Sequence, residues 1–265
     1  MGVFLGRTKM DLKLMFDENV VNYDKMRPTY VKELFADIIN FSKVNHSKIA
    51  LEIGVGTGQA TLAFLQTGCA TYAIEIGNNM TEFVKHKFAN YKNFHVTNAD
   101  FGDVQLNSNS YDLIYSGTAF HWIPQEIGYP KTFDLLKNGG TLALFWNHPY
   151  PYKSDEFYIK IQEVYSKYQN GIKSTVHKFS EEKCLNIVET MGKYGFTDTQ
   201  YKVYRNTRVL TTQQYIALLN TYSDHRAFKS ESRKALEAEL TDVINQYGGT
   251  VEIQDTMDLY LAKKP

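Results

Sequence analysis

Glu52 stands two residues before the first of three closely spaced glycines, Gly54, Gly56 and Gly58, at the end of the apolar run Ile49-Ala-Leu-Glu-Ile. Glycine is used where the backbone must take a positive φ or where a ligand comes closer than a Cβ permits, so three glycines at alternate positions after an apolar run mark a backbone surface shaped around a bound molecule. The spacing Gly54-x-Gly56-x-Gly58 departs from the G-x-G-x-x-G of dinucleotide-binding folds, and Glu52 occupies a place those folds keep apolar. A carboxylate there suits a cofactor with a cationic amino-acid end better than one carrying a pyrophosphate; the alternative is a solvated strand end. The next apolar run, Ala70-Thr-Tyr-Ala-Ile-Glu75, ends in an acid 21 residues after Gly54, the interval at which such folds place a carboxylate to accept ribose hydroxyls.

Glu-x-Gly-x-Gly-x-Gly after an apolar strand resembles the first motif of the class I S-adenosylmethionine (AdoMet)-dependent methyltransferases, and the resemblance runs over roughly residues 16 to 262. It implies Glu52, the three glycines, Glu75 with its neighbour Ile76, and Ser116 as cofactor-binding residues. A third run, Phe94-His-Val-Thr, leads to Asp100 and Phe101, where the family places an acid on the adenine amino group and a side chain packed on the ring. A fourth, Tyr111-Asp-Leu-Ile-Tyr115, opens onto Ser116-Gly-Thr-Ala-Phe-His121-Trp122, similar to the Ala-Phe-His-Trp stretch of the small-molecule enzymes related to trans-aconitate methyltransferase. Two further stretches resemble that group, Tyr23-Asp-Lys-Met-Arg27-Pro28-Thr-Tyr30 and Leu219-Asn-Thr-Tyr222-Ser-Asp-His225-Arg226.

Methyl transfer from a sulfonium is an in-line displacement in which the positive charge disappears, so the protein chiefly aligns and desolvates two reactants. No metal is required. A base is needed only for an acceptor that arrives protonated; a carboxylate needs none. His121, a residue type that titrates near neutrality, is the candidate catalytic residue, as base or as orienting donor, with packing as the plain alternative. Tyr30, Trp122 and Trp146 are candidate substrate residues, although large aromatics at strand ends also simply close a core. Tyr23 and Arg27 suit the carboxylate end of the cofactor, since guanidinium matches carboxylate bidentately; the alternative is a helix lead-in. Tyr222, His225 and Arg226 suit an anionic substrate, or else form a solvated helix end.

The elements that must position these residues follow from periodicity. Between 48 and 147 short β-rich runs alternate with helical segments, the rhythm of a parallel sheet covered on both faces, with Thr141–Trp146 as fifth strand. Asn79-Met-Thr-Glu82 reads as a capping box and Asn138-Gly139-Gly140 as a helix stop. Helices are expected over 154–169, with Phe157, Ile161, Val164, Tyr165 and Tyr168 on one side, then between Ser180 and Gly195, from the capping box Thr211-Thr-Gln-Gln214 to about Tyr222, and over 230–246. Strands are expected over 199–210 and 250–262. The resemblance implies a Rossmann-like α/β fold with a mostly parallel seven-stranded sheet, an antiparallel C-terminal hairpin and a helical cap. Residues 48–147 would be the AdoMet-binding core and 148–180 with 211–247 the cap, within one domain spanning 1–265.

Composition narrows the function. The chain has 265 residues, 43% hydrophobic and 22% charged, with 29 basic and 29 acidic side chains and hence zero formal net charge. That removes the general attraction to phosphate on which nucleic-acid enzymes rely. Asn147-His-Pro-Tyr150 is similar to the Asn-Pro-Pro-Tyr signature of amino-methylating nucleic-acid enzymes, but it follows the fifth strand rather than the fourth and carries His in place of Pro. Cys69 and Cys184 lack disulfide or zinc-ligand spacing and read as buried thiols of a reducing cytoplasm. Met1–Lys9 has no signal-peptide core, Gly6 stands where a myristoylation signal needs Ser or Thr, and no stretch approaches a membrane span. The expectation is a cytoplasmic AdoMet-dependent methyltransferase acting on a small molecule, with a carboxylate of an organic acid as candidate acceptor, without nucleic-acid or membrane partners. Its rivals are a non-catalytic AdoMet-binding protein, a nucleic-acid methyltransferase and a nicotinamide oxidoreductase.

Overall fold

The structure is a computed structural model that describes residues 15–152, 154–168 and 179–265; the segment Met1–Lys9 and the stretch 169–178 lie outside the described residues. Seven strands form one sheet in the order β3-β2-β1-β4-β5-β7-β6: β1 (Ile49–Ile53), β2 (Ala70–Glu75), β3 (Phe94–Asn98), β4 (Tyr111–Gly117), β5 (Leu136–Pro151), β6 (Thr197–Thr211) and β7 (Thr250–Lys263). β1 to β5 pair in parallel. The last two strands form the antiparallel hairpin. Gly139 N–H donates to the Lys264 carbonyl at 2.7 Å and Lys264 N–H to the Gly140 carbonyl at 2.9 Å, which sets the end of β7 against the start of β5.

β1 and β4 are central and covered on both faces, so their sequences read as nearly unbroken apolar runs, with Ala50, Leu51, Leu113, Ile114 and Tyr115 all fully buried. Sheet order reverses between these two strands. In open α/β sheets such a switch leaves a crevice beyond the carboxyl ends of the strands, where ligands bind.

The described residues gather into two compact units. One comprises Pro28–Asn147, Ser180–Tyr204 and Met257–Pro265. Its core joins Leu34 and Ile38, one turn apart on the helix Lys32–Ser42, to Phe64, Tyr115, Phe145 and Leu259. The other comprises the described residues within 15–27, 148–179 and 205–256. Its core takes Phe157, Ile161 and Val164 from the helix Asp155–Tyr168 and Leu236, Leu240 and Ile244 from the helix Ser230–Gln246. Each such side chain contributes about 1.5–3 kcal/mol by leaving water.

Two expected helix signals are placed otherwise. The helix Asn78–Lys87 starts one residue before Asn79, with Gly77 as its N-cap, and Thr81 Oγ1 donates back to the Gly77 carbonyl at 2.7 Å. Gly139 and Gly140 do not stop a helix: the helix Gln125–Leu135 has already ended when Leu136 turns extended, and both glycines lie in β5, where Gly139 takes φ +75° at the contact with Lys264. By contrast the capping box at Thr211 is complete. Thr211 Oγ1 accepts the Gln214 N–H at 3.3 Å and Gln214 Oε1 accepts the Thr211 N–H at 2.9 Å, opening the helix Thr212–Leu219. Thr211→Ala is expected to lower stability by about 1 kcal/mol, read by denaturant unfolding, because an orphan helix donor loses its acceptor.

Candidate functional site

The loop after β1 explains its three glycines. Gly54, Gly56 and Gly58 take φ of +72°, +54° and +82°, the left-handed region that side chains with a Cβ resist. Gly54 N–H donates to the Ile74 carbonyl at 2.9 Å, and a Cβ on Gly54 would stand 2.5 Å from the Cβ of Ala119, just past β4. The loops leaving β1 and β4 therefore touch where the sheet order reverses. A Cβ on Gly58 would meet the Phe88 ring at 2.4 Å.

Glu75, at the end of β2, joins this loop to the next. Its Oε2 accepts the Gly56 N–H at 2.8 Å and its Oε1 accepts the Gly77 N–H at 2.9 Å. The carboxylate is buried, and two N–H groups on an anionic acceptor form the stronger, charge-assisted kind of hydrogen bond. Asn98, opposite Glu75 in the β2–β3 register, donates to the carbonyls of Glu75 and Ile76, each at 3.0 Å. Sequence reading missed Asn98; a polar side chain at the end of β3, two residues before Asp100, was the available signal. Asp100 Oδ1 accepts the Gly102 N–H at 2.8 Å and so shapes the turn after β3. Phe101 is buried, with Lys131 Nζ 5.1 Å from its ring centre and the same ammonium donating to the Gly102 and Val104 carbonyls.

Two expected cofactor residues turn inward. Glu52 is 2% exposed, and its Oε2 accepts Thr61 Oγ1–H at 2.7 Å and Tyr115 O–H at 2.9 Å. Burial, opposed by those two hydrogen bonds, pushes its carboxyl up to about 8. The acid expected to present a charge to a cationic cofactor end is therefore largely protonated at neutral pH and ties β1 to β4 and to the helix Thr61–Leu65. Ser116 is fully buried and its hydroxyl donates to the Ile53 carbonyl at 2.8 Å, a second tie between these strands. Burial outweighs local motif here because both residues lie on strands covered on both faces.

His121, Trp122 and Trp146 come together. His121 is exposed on the short 3₁₀ turn Phe120–Trp122, and Trp146 Nε1–H donates to its Nδ1 at 3.0 Å. Indole nitrogen only donates, so Nδ1 is the acceptor and the neutral ring carries its proton on Nε2. The Trp122 ring lies 5.2 Å from that of His121, and Trp146 packs edge-on against Tyr260 at 5.7 Å. Tyr30 stands edge-on to Phe145 at 4.7 Å, with its hydroxyl 2.8 Å from Thr118 Oγ1.

The remaining expected residues gather in the other unit. Arg27 is held between the rings of Tyr23 and Tyr222, at 4.9 and 4.5 Å from their centres, and its Nη2 donates to the Thr221 carbonyl at 2.7 Å. Arg226 pairs with Glu18. His225 is buried, with Nε2 3.2 Å from Glu237 Oε1 and Nδ1 lacking a hydrogen-bond partner among the described residues. Burial lowers its pKa, outweighing the opposing pull of Glu237. The three residues expected to form one anion site thus have different partners: the Arg27 guanidinium for Tyr222, Glu237 for the buried His225, and Glu18 for Arg226.

A parallel sheet with a reversal beside a glycine-rich loop, closed by an antiparallel hairpin, defines a Rossmann-like cofactor-binding protein. Residues 51–144 match the methyltransferase domain family. An uncharacterized methyltransferase of Schizosaccharomyces pombe is 24% identical over 241 residues, covering 91% of this chain and 88% of the relative. One from Bacillus mycoides is 33% identical over 142 residues, 49% of this chain and 64% of its own. Among solved structures, the phosphoethanolamine N-methyltransferase 2 of Haemonchus contortus, in complex with phosphomonomethylethanolamine and S-adenosylhomocysteine, superposes with TM-score 0.57 at 16% identity, over 100% of this chain and 61% of that one. Residues 51–144 thus carry a methyltransferase domain, and along most of its length the chain is similar to methyltransferases.

The buried acid gives a pH test. Glu52 has a folded-state pKa near 8, above its usual value of 4.5, so between those values the folded protein holds a proton that the unfolded chain has released. Its contribution to stability is fully present below pH 4.5 and is lost as pH rises through about 8. Glu52→Gln is expected to flatten this fall, measured by denaturant unfolding across that range; an unchanged profile would place the proton elsewhere.

Proposed function

We propose that AdoMet lies across the carboxyl ends of β1, β2 and β3, and that its methyl group passes to a small-molecule acceptor beside His121, Trp122 and Trp146. The observation that carries this reading is the bridge made by Glu75. A single carboxylate fixed by Gly56 N–H and Gly77 N–H stands between the glycine loop and the end of β2, where a ribose diol would find an acceptor of fixed orientation. The left-handed glycines keep the loop bare of side chains on the same side. Asp100 and Phe101 would serve the adenine end. When bound, the cofactor supplies an activated methyl group; the residues around it supply alignment and exclusion of water.

The acceptor class we favour is a carboxylate, as in a small organic acid. His121 receives a hydrogen bond at Nδ1, so its neutral ring is a donor at Nε2 rather than a base. A donor orients an anionic oxygen, and a carboxylate needs no deprotonation before attack. The acceptor named for the Haemonchus enzyme belongs to that protein, because related cofactor folds serve different acceptors.

Titration calorimetry with AdoMet and S-adenosylhomocysteine, with NADH as control, tests the cofactor. Glu75→Gln is expected to weaken AdoMet binding by about tenfold or more, the value of about 1.5–3 kcal/mol for hydrogen bonds to a charged group. Folded wild-type protein that binds neither sulfur compound would overturn the assignment. In a screen of small organic acids with labelled AdoMet, His121→Ala is expected to lower turnover by a factor that stays constant as pH rises; a loss that shrinks at high pH would make the residue a base.

A further inference from the structure

Thr118 takes φ +53°, a left-handed conformation that is a true outlier for a β-branched residue. Such strain persists where the surroundings over-determine it, and it clusters at functional sites. The surroundings here are specific. Thr118 N–H donates to the Phe145 carbonyl at 2.8 Å, Asn147 N–H donates to Thr118 Oγ1 at 3.3 Å, and that same Oγ1 lies 2.8 Å from the Tyr30 hydroxyl. Thr118 thus holds β5 on both sides of one residue, Trp146, whose indole N–H reaches His121.

Neighbouring residues reinforce the geometry. A Cβ on Gly117 would lie 2.6 Å from the Phe145 ring and 2.9 Å from the Tyr30 oxygen, so the chain before Thr118 is packed against the same two side chains. Ala119, just after it, meets Gly54 of the cofactor loop. Three consecutive residues therefore face the aromatic wall, the end of β5 and the glycine loop in turn.

We propose that Thr118 is a positioning residue for the acceptor side: its strained backbone and its hydroxyl fix Trp146, and through Trp146 the ring and tautomer of His121. The inference rests on the reading of His121 and Trp146 as acceptor-side residues. Its physical claim is about their geometry, so it can be tested without the acceptor.

The chain has two tryptophans, Trp122 and Trp146, and so two indole N–H resonances in a ¹⁵N–¹H correlation spectrum, which Trp146→Phe assigns. His121→Ala removes the acceptor and defines the position of an unbound Trp146 indole. Thr118→Gly accepts the left-handed φ without strain but lacks the hydroxyl, so it is expected to fold while the Trp146 resonance moves toward that unbound position. Thr118→Ser, which keeps the hydroxyl, is expected to return it to the wild-type position. Thr118→Ala supplies the same test should the glycine variant fail to fold. A Trp146 resonance unmoved in the variants without the hydroxyl, or moved as far by Thr118→Ser, would overturn the proposal. AdoMet titration of the wild type separates the two readings: loss of AdoMet binding sinks the cofactor assignment, while the indole shift still decides the role of Thr118.

Discussion

The arrangement of the candidate site depends on one carboxylate satisfying two backbone donors. Glu75 accepts an N–H from Gly56 in the loop after β1 and another from Gly77 at the start of the helix after β2. Both donors belong to backbone without a regular partner, and both are orphans that buried backbone cannot leave unmet. A neutral side chain would hold them less strongly, and a longer or shorter acid would shift one loop against the other. The left-handed glycines follow from the same constraint, since the loop must bend sharply to present Gly56 N–H to β2 while Gly54 passes within contact of Ala119.

Two glutamates on neighbouring strands show how environment divides roles between identical groups. Glu75 accepts two backbone N–H groups. Glu52 is surrounded by hydroxyls and apolar strands; burial keeps it protonated near neutrality, and the negative charge of Glu75 pushes in the same direction. The two carboxyls thus sit in different settings, Glu75 on backbone donors and Glu52 on hydroxyls. Thr61 and Tyr115 absorb the cost of burying the Glu52 carboxyl.

The proposed acceptor side is built differently, from aromatic rings and one strained threonine. Trp146, Trp122, Tyr30 and Phe145 provide apolar walls, with polar contacts from the Trp146 indole to His121 and between the Tyr30 hydroxyl and Thr118. Rings with few rotatable bonds hold such contacts at small entropic cost. The stack of Arg27 between Tyr23 and Tyr222 uses the same device in the other unit.

Much of this was legible in the chain. Alternation of β-rich and helical runs gave the parallel sheet, because strands buried on both faces must be apolar throughout. The three glycines and the acid 21 residues later marked a sharply bent loop joined to the end of β2, because few residue types take left-handed φ and a carboxylate can accept two N–H groups. The Thr211 box was readable because its partners are three residues apart. What only the tertiary structure decided was the protonation of Glu52, the inward turn of Ser116, the dispersal of Tyr222, His225 and Arg226 among different partners, and the bracket that Thr118 places around Trp146. Each of these depends on groups distant in sequence, such as Tyr115 for Glu52 and Glu237 for His225. Local pattern fixes backbone conformation and residue chemistry; burial and long-range partners determine which of those groups stay charged, which donate and which are spent in holding the fold.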